Sequence, residues 1–368
     1  MEWSEANKYC SFSSAKGLTY YDNFLKIVGW LEGKNRLPPP IECNLDPYAE
    51  CNLSCYFCIT QRYLRNQRAE VGEMRKLPTE YMYRLVDFIA NWGVKGLCIS
   101  GGGEPSLHQG TWGLPSYATQ KGLDVAYVTN GVRISDELAQ NLMCCKWVTF
   151  SVDAGDKRTY LKVKGKDGFQ AVIDNIARVA QLRRIQQSNV ALAFCSLILP
   201  ENVHSLHKAC RLARELGVQV FYARPVDFQR PDIKGAKPLA FDMPRVREEL
   251  ARCHEEETKD FRVVTSTHKF NAELHVKHDF GRCFAALILP ILTDGNGYLC
   301  VDKKMESKYR LGAAYPDPGQ ILEWWGSDHH RQMMLGVDIS SCSRCTGGPY
   351  NRQIEEVVID DRMMRNFP

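Results

Sequence analysis

The chain has 368 residues, 44% hydrophobic and 24% charged, ordinary for a globular protein and enough for one large domain or a large and a small one. A formal net charge of +4 is too small to argue for nucleic acid as a partner. The start, Met1-Glu2-Trp3-Ser4-Glu5, lacks the form of a signal peptide, and no stretch approaches the roughly 20 apolar residues that span a bilayer. The expected setting is cytoplasmic, with no membrane partner.

In chain order, an amphipathic helix over Tyr20–Leu31 ends at the breaker Leu37-Pro38-Pro39-Pro40. Strands then alternate with helices. Strands are predicted at 41–45, 96–100, 124–129, 147–152, 190–199 and 218–222, and helices at 79–92, 113–121, 135–143, 169–187 and 203–216. Short apolar strands separated by amphipathic helices imply parallel βαβ units. Six such units with right-handed crossovers build an α/β fold of the partial (β/α)6 TIM-like barrel type, although the alternation suits a doubly wound sheet equally. Past Tyr222 the rhythm stops, and Pro225, Pro231, Pro238 and Pro244 mark a connecting segment with one charged helix near 245–258. The expected division is a helical extension (1–38), a barrel (39–225), a connecting segment (226–265), a small C-terminal domain of β-hairpin and helix (266–350) and a tail (351–368).

Fifteen cysteines is a high, odd count in a chain with no secretory signal, which points to metal rather than disulfides. Cys98, Cys195, Cys210 and the pair Cys144-Cys145 lie in apolar patterns and read as core residues. The run Cys51-Asn52-Leu53-Ser54-Cys55-Tyr56-Phe57-Cys58 differs. It follows the first predicted strand, and ligand loops in such folds lie at the carboxyl ends of strands. Three thiols at C-x3-C-x2-C spacing converge on a common centre. That centre is an iron–sulfur cluster, or a structural zinc that recruits a fourth ligand such as Cys43 or His108.

The spacing, with the aromatic Phe57 before its last cysteine, resembles the signature of the radical S-adenosylmethionine (SAM) enzymes. The resemblance implies that Cys51, Cys55 and Cys58 hold three irons of a [4Fe–4S] cluster, with Phe57 among the cofactor contacts. The fourth iron stays open to the amino and carboxylate groups of SAM, as a working metal centre requires. After the second predicted strand, Gly101-Gly102-Gly103-Glu104-Pro105 is similar to the family's G-G-E-P motif. This implies that Gly102, Gly103, Glu104 and Pro105 hold the SAM amino group, whereas the run taken alone reads as a strand-to-helix turn. The next two strands end in Thr129-Asn130-Gly131 and Ser151-Val152-Asp153-Ala154-Gly155. By the same resemblance Ser151, Asp153 and Asn130 approach the ribose and methionine carboxylate, yet each suits a helix cap or an Asx turn as well. Asp153 to Lys164, with Gly165 and Phe169, is similar to the family's segment after the fourth strand, and Leu199-Pro200-Glu201-Asn202 falls near the adenine.

The C-terminal part has its own thiols: Cys283, then Gly295, Cys300 and the pair Cys342-Ser343-Arg344-Cys345. Asp294-Gly295-Asn296-Gly297 is hairpin chemistry. Four cysteines in a 2 + 2 arrangement close a zinc site or hold a second [4Fe–4S] cluster, and spacing does not choose. The first half is similar to the C-x(9–15)-G-x4-C pattern of SPASM and twitch extensions of radical SAM enzymes. Asn351 stands where the full SPASM pattern has its next cysteine, so the layout resembles a twitch domain with one auxiliary [4Fe–4S] cluster, as in aminocyclitol dehydrogenases.

The resemblance implies reductive cleavage of SAM with an electron from a donor such as flavodoxin or ferredoxin, followed by removal of a substrate hydrogen. Oxidation or epimerisation of a small sugar, aminocyclitol or nucleoside-like substrate is the first expectation, because about 38 residues ahead of the barrel are short for a leader-binding domain. Maturation of a ribosomally made peptide is the alternative. Cys195, Cys210 and Cys253 are weighed as hydrogen-returning thiols against plain packing, and Arg224, Asp227, His268, His275 and His278 as residues near the mouth or auxiliary site. No catalytic base is assigned. A different class, a non-catalytic zinc protein binding nucleic acid, would use Arg62, Arg65 and Arg68.

Overall fold

The computed structural model describes residues 19–58, 60, 74–226, 240–266, 270, 278, 280–284, 291–342, 345 and 347–360. Seven parallel strands lie side by side in chain order: β1 (Glu42–Asp46), β2 (Gly96–Ile99), β3 (Asp124–Thr129), β4 (Trp147–Ser151), β5 (Ala191–Ile198), β6 (Val220–Pro225) and β7 (Arg262–Thr265). A doubly wound sheet reverses its strand order at a switch point. Here each strand adds to the same edge as the one before, which leaves the barrel type and excludes the doubly wound one. β7 falls in the stretch expected only to connect, and it pairs with β6 from Val220↔Arg262 to Ala223↔Thr265.

The free edge of β1 is also extended. β8 (Ile291–Thr293) pairs with it in parallel, and β9 (Asn296–Tyr298) and β10 (Arg310–Ala313) follow antiparallel. The two-residue connection Asp294-Gly295 has φ of 47° and 83°, the doubly left-handed backbone of a type I′ hairpin, which Asp-Gly favours. The expected hairpin thus continues the barrel sheet.

Helices fill the connections: α1 (Tyr21–Leu31), α2 (Thr79–Trp92), α3 (Leu114–Gln120), α4 (Asp136–Leu142), α5 (Lys157–Lys164), α6 (Phe169–Ile185), α7 (Leu206–Glu215) and α8 (Met243–Glu255). α2 shows why. Tyr81, Met82, Leu85, Val86 and Ile89 recur three or four apart and are all buried, and Gly93, at φ 106°, ends the helix. Burying each such side chain contributes roughly 1.5–3 kcal/mol. α5 was not foreseen. Asp156 caps it by accepting the Thr159 N–H, and Gly165 closes it at φ 70°.

Three short helices complete the C-terminal part: α9 (Ile321–Trp324), α10 (Asp328–Leu335) and α11 (Gly348–Gln353). α1 docks on this part rather than on the barrel alone. Trp30 Nε1 donates to the Gly326 carbonyl at 2.9 Å, and Arg331 donates to the Trp30 carbonyl at 2.7 Å. No helix among the described residues is long and apolar enough to cross a membrane.

Candidate functional site

The loop after β1 brings Cys51, Cys55 and Cys58 to the carboxyl end of the sheet. Leu53 N–H points at Cys51 Sγ (3.4 Å), and Ser54 N–H donates to the Lys164 carbonyl (2.9 Å), so α5 props the middle of the loop. Burial pushes the Cys51 thiol up, the Leu53 N–H opposes it, and Glu104 and Cys58 add to the rise. Burial carries Cys55 up to about 12, with Lys164 pulling the other way. Three half-buried thiols that feel one another's charge favour a polycationic centre that takes them as thiolates. No trio among the described residues is closed to single-ion distances, so the fit rests on this soft donor set, which suits an iron–sulfur cluster. Neither suggested zinc partner serves. Cys43 is buried inside β1, and both ring nitrogens of His108 are engaged, Nε2 with the Leu77 carbonyl (2.7 Å) and Nδ1 with Gly110 N–H (3.0 Å).

The glycine run after β2 packs against this loop. Glu104 N–H donates to the Glu50 carbonyl at 2.8 Å, and a Cβ on Gly103 would lie 2.2 Å from that oxygen. A Cβ on Gly102 would meet Met305 Cε at 2.7 Å and Thr60 Cγ2 at 3.1 Å. Pro105 is buried and opens the short turn that follows. Glu104 does not point an open carboxylate into the site. Its oxygens accept Ser106 N–H (3.0 Å), Thr129 Oγ1–H (2.6 Å) and Asn130 N–H (2.7 Å), so it ties the end of β2 to the end of β3. Of a carboxylate's roughly four acceptor positions, about one remains for a ligand.

Asn130 has a double place. Its Oδ1 accepts Val132 N–H (3.0 Å) in an Asx turn, while its Nδ2 donates to Asn52 Oδ1 (2.7 Å) and points at Cys51 Sγ (3.7 Å). Ser151 ends β4, half-buried and in register with Cys195.

Asp153, expected as a cofactor contact, is buried and committed to the protein. It sits at φ 62°, accepts Leu197 N–H on Oδ1 (2.6 Å) and pairs through Oδ2 with Lys164 Nζ (2.5 Å). Asn202 is likewise internal, donating to the carbonyls of Asp153 and Leu197, both at 2.8 Å. Lys164 was missed. It is a buried cation 5.8 Å from the Phe57 ring centroid; burial works against its charge, but Asp153 first and then Cys55 hold it protonated. A lone buried lysine eleven positions after a buried aspartate leaves only a faint mark in sequence.

The C-terminal thiols also gather. Burial raises Cys300, and neighbouring Asp302, Cys283 and Cys342 raise it further; Cys345 is raised by burial and then by Cys283 and Cys300. The hairpin before Cys300 and the stretch ahead of α11 that holds Cys342 and Cys345 therefore bring the two halves of the 2 + 2 pattern together. His278 bonds the Cys342 carbonyl (2.8 Å). Cys210 and Cys253 lie buried between α7 and α8, where Cys210 Sγ–H reaches the Cys253 carbonyl at 3.6 Å, a packing role away from the cysteine loop. Arg224 lies in β6 opposite Leu197. Asp227, His268, His275 and the strip Arg62, Arg65 and Arg68 lie outside the described residues.

Residues 46–218 match the Radical SAM superfamily, and this part of the chain is a radical SAM domain. Such a domain uses a [4Fe–4S] cluster and S-adenosylmethionine. Among individual proteins, the chain is similar to the mycofactocin maturase MftC of Mycolicibacterium smegmatis, 24% identical over 303 residues that cover 80% of this chain and 72% of the relative. It is also similar to the antilisterial bacteriocin subtilosin biosynthesis protein AlbA of Bacillus subtilis, 23% identical over 53% of this chain and 41% of that one. The fold is shared with Streptococcus suis SuiB bound to S-adenosylmethionine, at TM-score 0.63 and 16% identity, covering 95% of this chain and 81% of that one.

Proposed function

We propose that this radical SAM protein is a maturase that modifies a ribosomally made peptide. The observation that carries the reading is the extent of the likeness to MftC. It runs over 80% of this chain, well past the radical SAM domain at 46–218, whereas the likeness to a sugar ammonia-lyase covers 44%. Streptococcus suis SuiB, which shares the fold, has also been solved bound to the precursor peptide SuiA. The first expectation, a sugar or aminocyclitol substrate, therefore yields to its alternative.

When bound, the cluster and SAM would supply one-electron radical chemistry that removes a hydrogen atom from the substrate. The chain's own residues hold and orient. Cys51, Cys55 and Cys58 anchor the cluster. The Gly102–Gly103 backbone, pinned by Glu104, would hold the amino end of the cofactor, with Ser151 and Asn130 as its further contacts. Lys164, fixed by Asp153, puts a buried positive charge beside Cys55 and so favours the thiolate form. Cys283, Cys300, Cys342 and Cys345 hold an auxiliary [4Fe–4S] cluster of the twitch type, for which four protein thiolates leave no open iron.

The test is anaerobic reconstitution, reduction, and incubation with SAM and short peptides encoded beside the gene. Expected are about eight irons per chain, release of 5′-deoxyadenosine and a changed peptide mass. A Cys51→Ala/Cys55→Ala/Cys58→Ala variant should keep about four irons and release no 5′-deoxyadenosine. Turnover of a small sugar with no peptide modified would sink the maturase reading.

A further inference from the structure

The residue that departs from the full cysteine pattern occupies a defined place. Asn351 lies in α11, fully buried. Its Nδ2 is 3.5 Å from Cys345 Sγ, and its Oδ1 accepts the Phe284 N–H at 2.6 Å. Phe284 follows Cys283 and is itself completely buried. One carboxamide therefore spans both halves of the thiol group, touching a sulfur on one side and the backbone next to Cys283 on the other. A cysteine in its place would bring a fifth thiol against Cys345. The asparagine brings an N–H instead.

We propose that Asn351 is a positioning residue for the auxiliary cluster and sets its reduction potential through an N–H···S bond to Cys345. The proposal rests on reading the four thiols as a cluster site. A hydrogen bond to a ligand sulfur withdraws negative charge and stabilises the reduced, more negative state, which raises the potential. The Phe284 contact fixes the amide so that its N–H, not its oxygen, faces the sulfur. Asn130 likewise presents a carboxamide N–H to Cys51 at 3.7 Å, so each thiol group has a carboxamide N–H directed at one of its sulfurs.

The experiment uses the full chain with Cys51, Cys55 and Cys58 changed to alanine, so that only the C-terminal thiols bind metal. After anaerobic reconstitution, iron is counted and the cluster is titrated by electron paramagnetic resonance, with Asn351 intact and with Asn351→Asp. The aspartate keeps an acceptor for Phe284 N–H but has no N–H for the sulfur. The expected result is about four irons in both proteins, with the variant's ratio of reduced to oxidised cluster about tenfold lower at equal poise, a shift of ~59 mV for one electron. Should the aspartate variant assemble no cluster, Asn351→Ala, which adds no charge, is titrated in its place, with a lower potential again expected.

Equal potentials in a fully assembled variant overturn the role given to Asn351 and leave the cluster reading intact. Failure of both variants to assemble iron makes Asn351 an assembly residue and overturns its role in the potential. A colourless parent protein with about one zinc overturns the cluster reading, and the proposal with it.

Discussion

Lys304 is ion-paired with Asp46, 258 positions earlier in the chain, and both groups are buried. Asp46 ends β1, just ahead of the Cys51–Cys58 loop, and also accepts Ser100 Oγ–H at 3.2 Å. Lys304 follows Cys300 by four positions, and the next residue, Met305, packs against Ala49. The pair fastens the loop that carries one thiol group to the strand that feeds the other.

Breaking the pair from one side should therefore be costly. Lys304→Met leaves Asp46 buried and unpaired, with an expected loss of about 3–5 kcal/mol. Adding Asp46→Asn, which removes the stranded charge, should recover most of it. Denaturant titration of the two single variants and the double variant checks this, and equal losses in all three would rule the latch out.

Glu104 is expected to matter first as a loop pin. Glu104→Gln keeps one acceptor oxygen but turns an amino group toward either Asn130 N–H or the Ser106 and Thr129 donors. That leaves a buried donor unsatisfied, at about 1–3 kcal/mol. Chemical unfolding reads the loss, and equilibrium dialysis with SAM should show weaker binding in the same variant.

The glycines beside it separate by what surrounds them. An added Cβ at Gly103 meets Glu50 backbone atoms at 2.2 and 2.6 Å, and at Gly101 it meets the Gly103 carbonyl oxygen at 2.0 Å. Backbone cannot step aside, so Gly101→Ala and Gly103→Ala should unfold this corner and cut the yield of folded protein. At Gly102 the nearest atom is the far end of Met305, which can rotate. Gly102→Ala should keep the free energy of unfolding within about 1 kcal/mol of the parent, inside the ordinary spread for a tolerated substitution.

His330 gives a pH dependence. Burial, then the neighbouring His329, lowers it to about 4, while its ring packs 4.9 Å from Trp325 and its Nδ1 accepts Gly326 N–H at 3.1 Å. Between an unfolded pKa near 6.5 and about 4, the unfolded chain binds a proton that the folded chain refuses, so stability falls with pH. The contribution is fully present above about 6.5 and declines by about 1.4 kcal/mol per pH unit below it. His330→Gln should unfold with a shallower slope than the parent between pH 6.5 and 4.5. Parallel slopes would assign the dependence to other groups.

Much of this fold is legible in sequence, because α2 and β3 carry the periodicities of their element types over whole segments, and their observed bounds are the expected ones. α5 is not legible in that way. It is mostly polar outside Tyr160 and Val163, and its existence depends on the Asp156 cap and on Lys164 finding Asp153. β7 is four residues long behind a charged helix, too short to show alternation. The cysteine spacings are legible because ligand chemistry constrains neighbours in the chain. The partners of Glu104, Asp153 and Asn351 are not, since each binds groups that only folding brings near. Asp153, for one, pairs with Lys164 eleven positions on.

The ladder between β1 and β8, from Asn44↔Ile291 to Asp46↔Thr293, joins the hairpin ahead of Cys300 to the strand ahead of Cys51. β1 leads into the Cys51–Cys58 loop, and β9, which leads to Cys300, lies two strands away across β8, at about 4.8 Å per inter-strand step. The spacing of the two thiol-bearing segments therefore follows the pairing of one continuous sheet and not the length of chain between them.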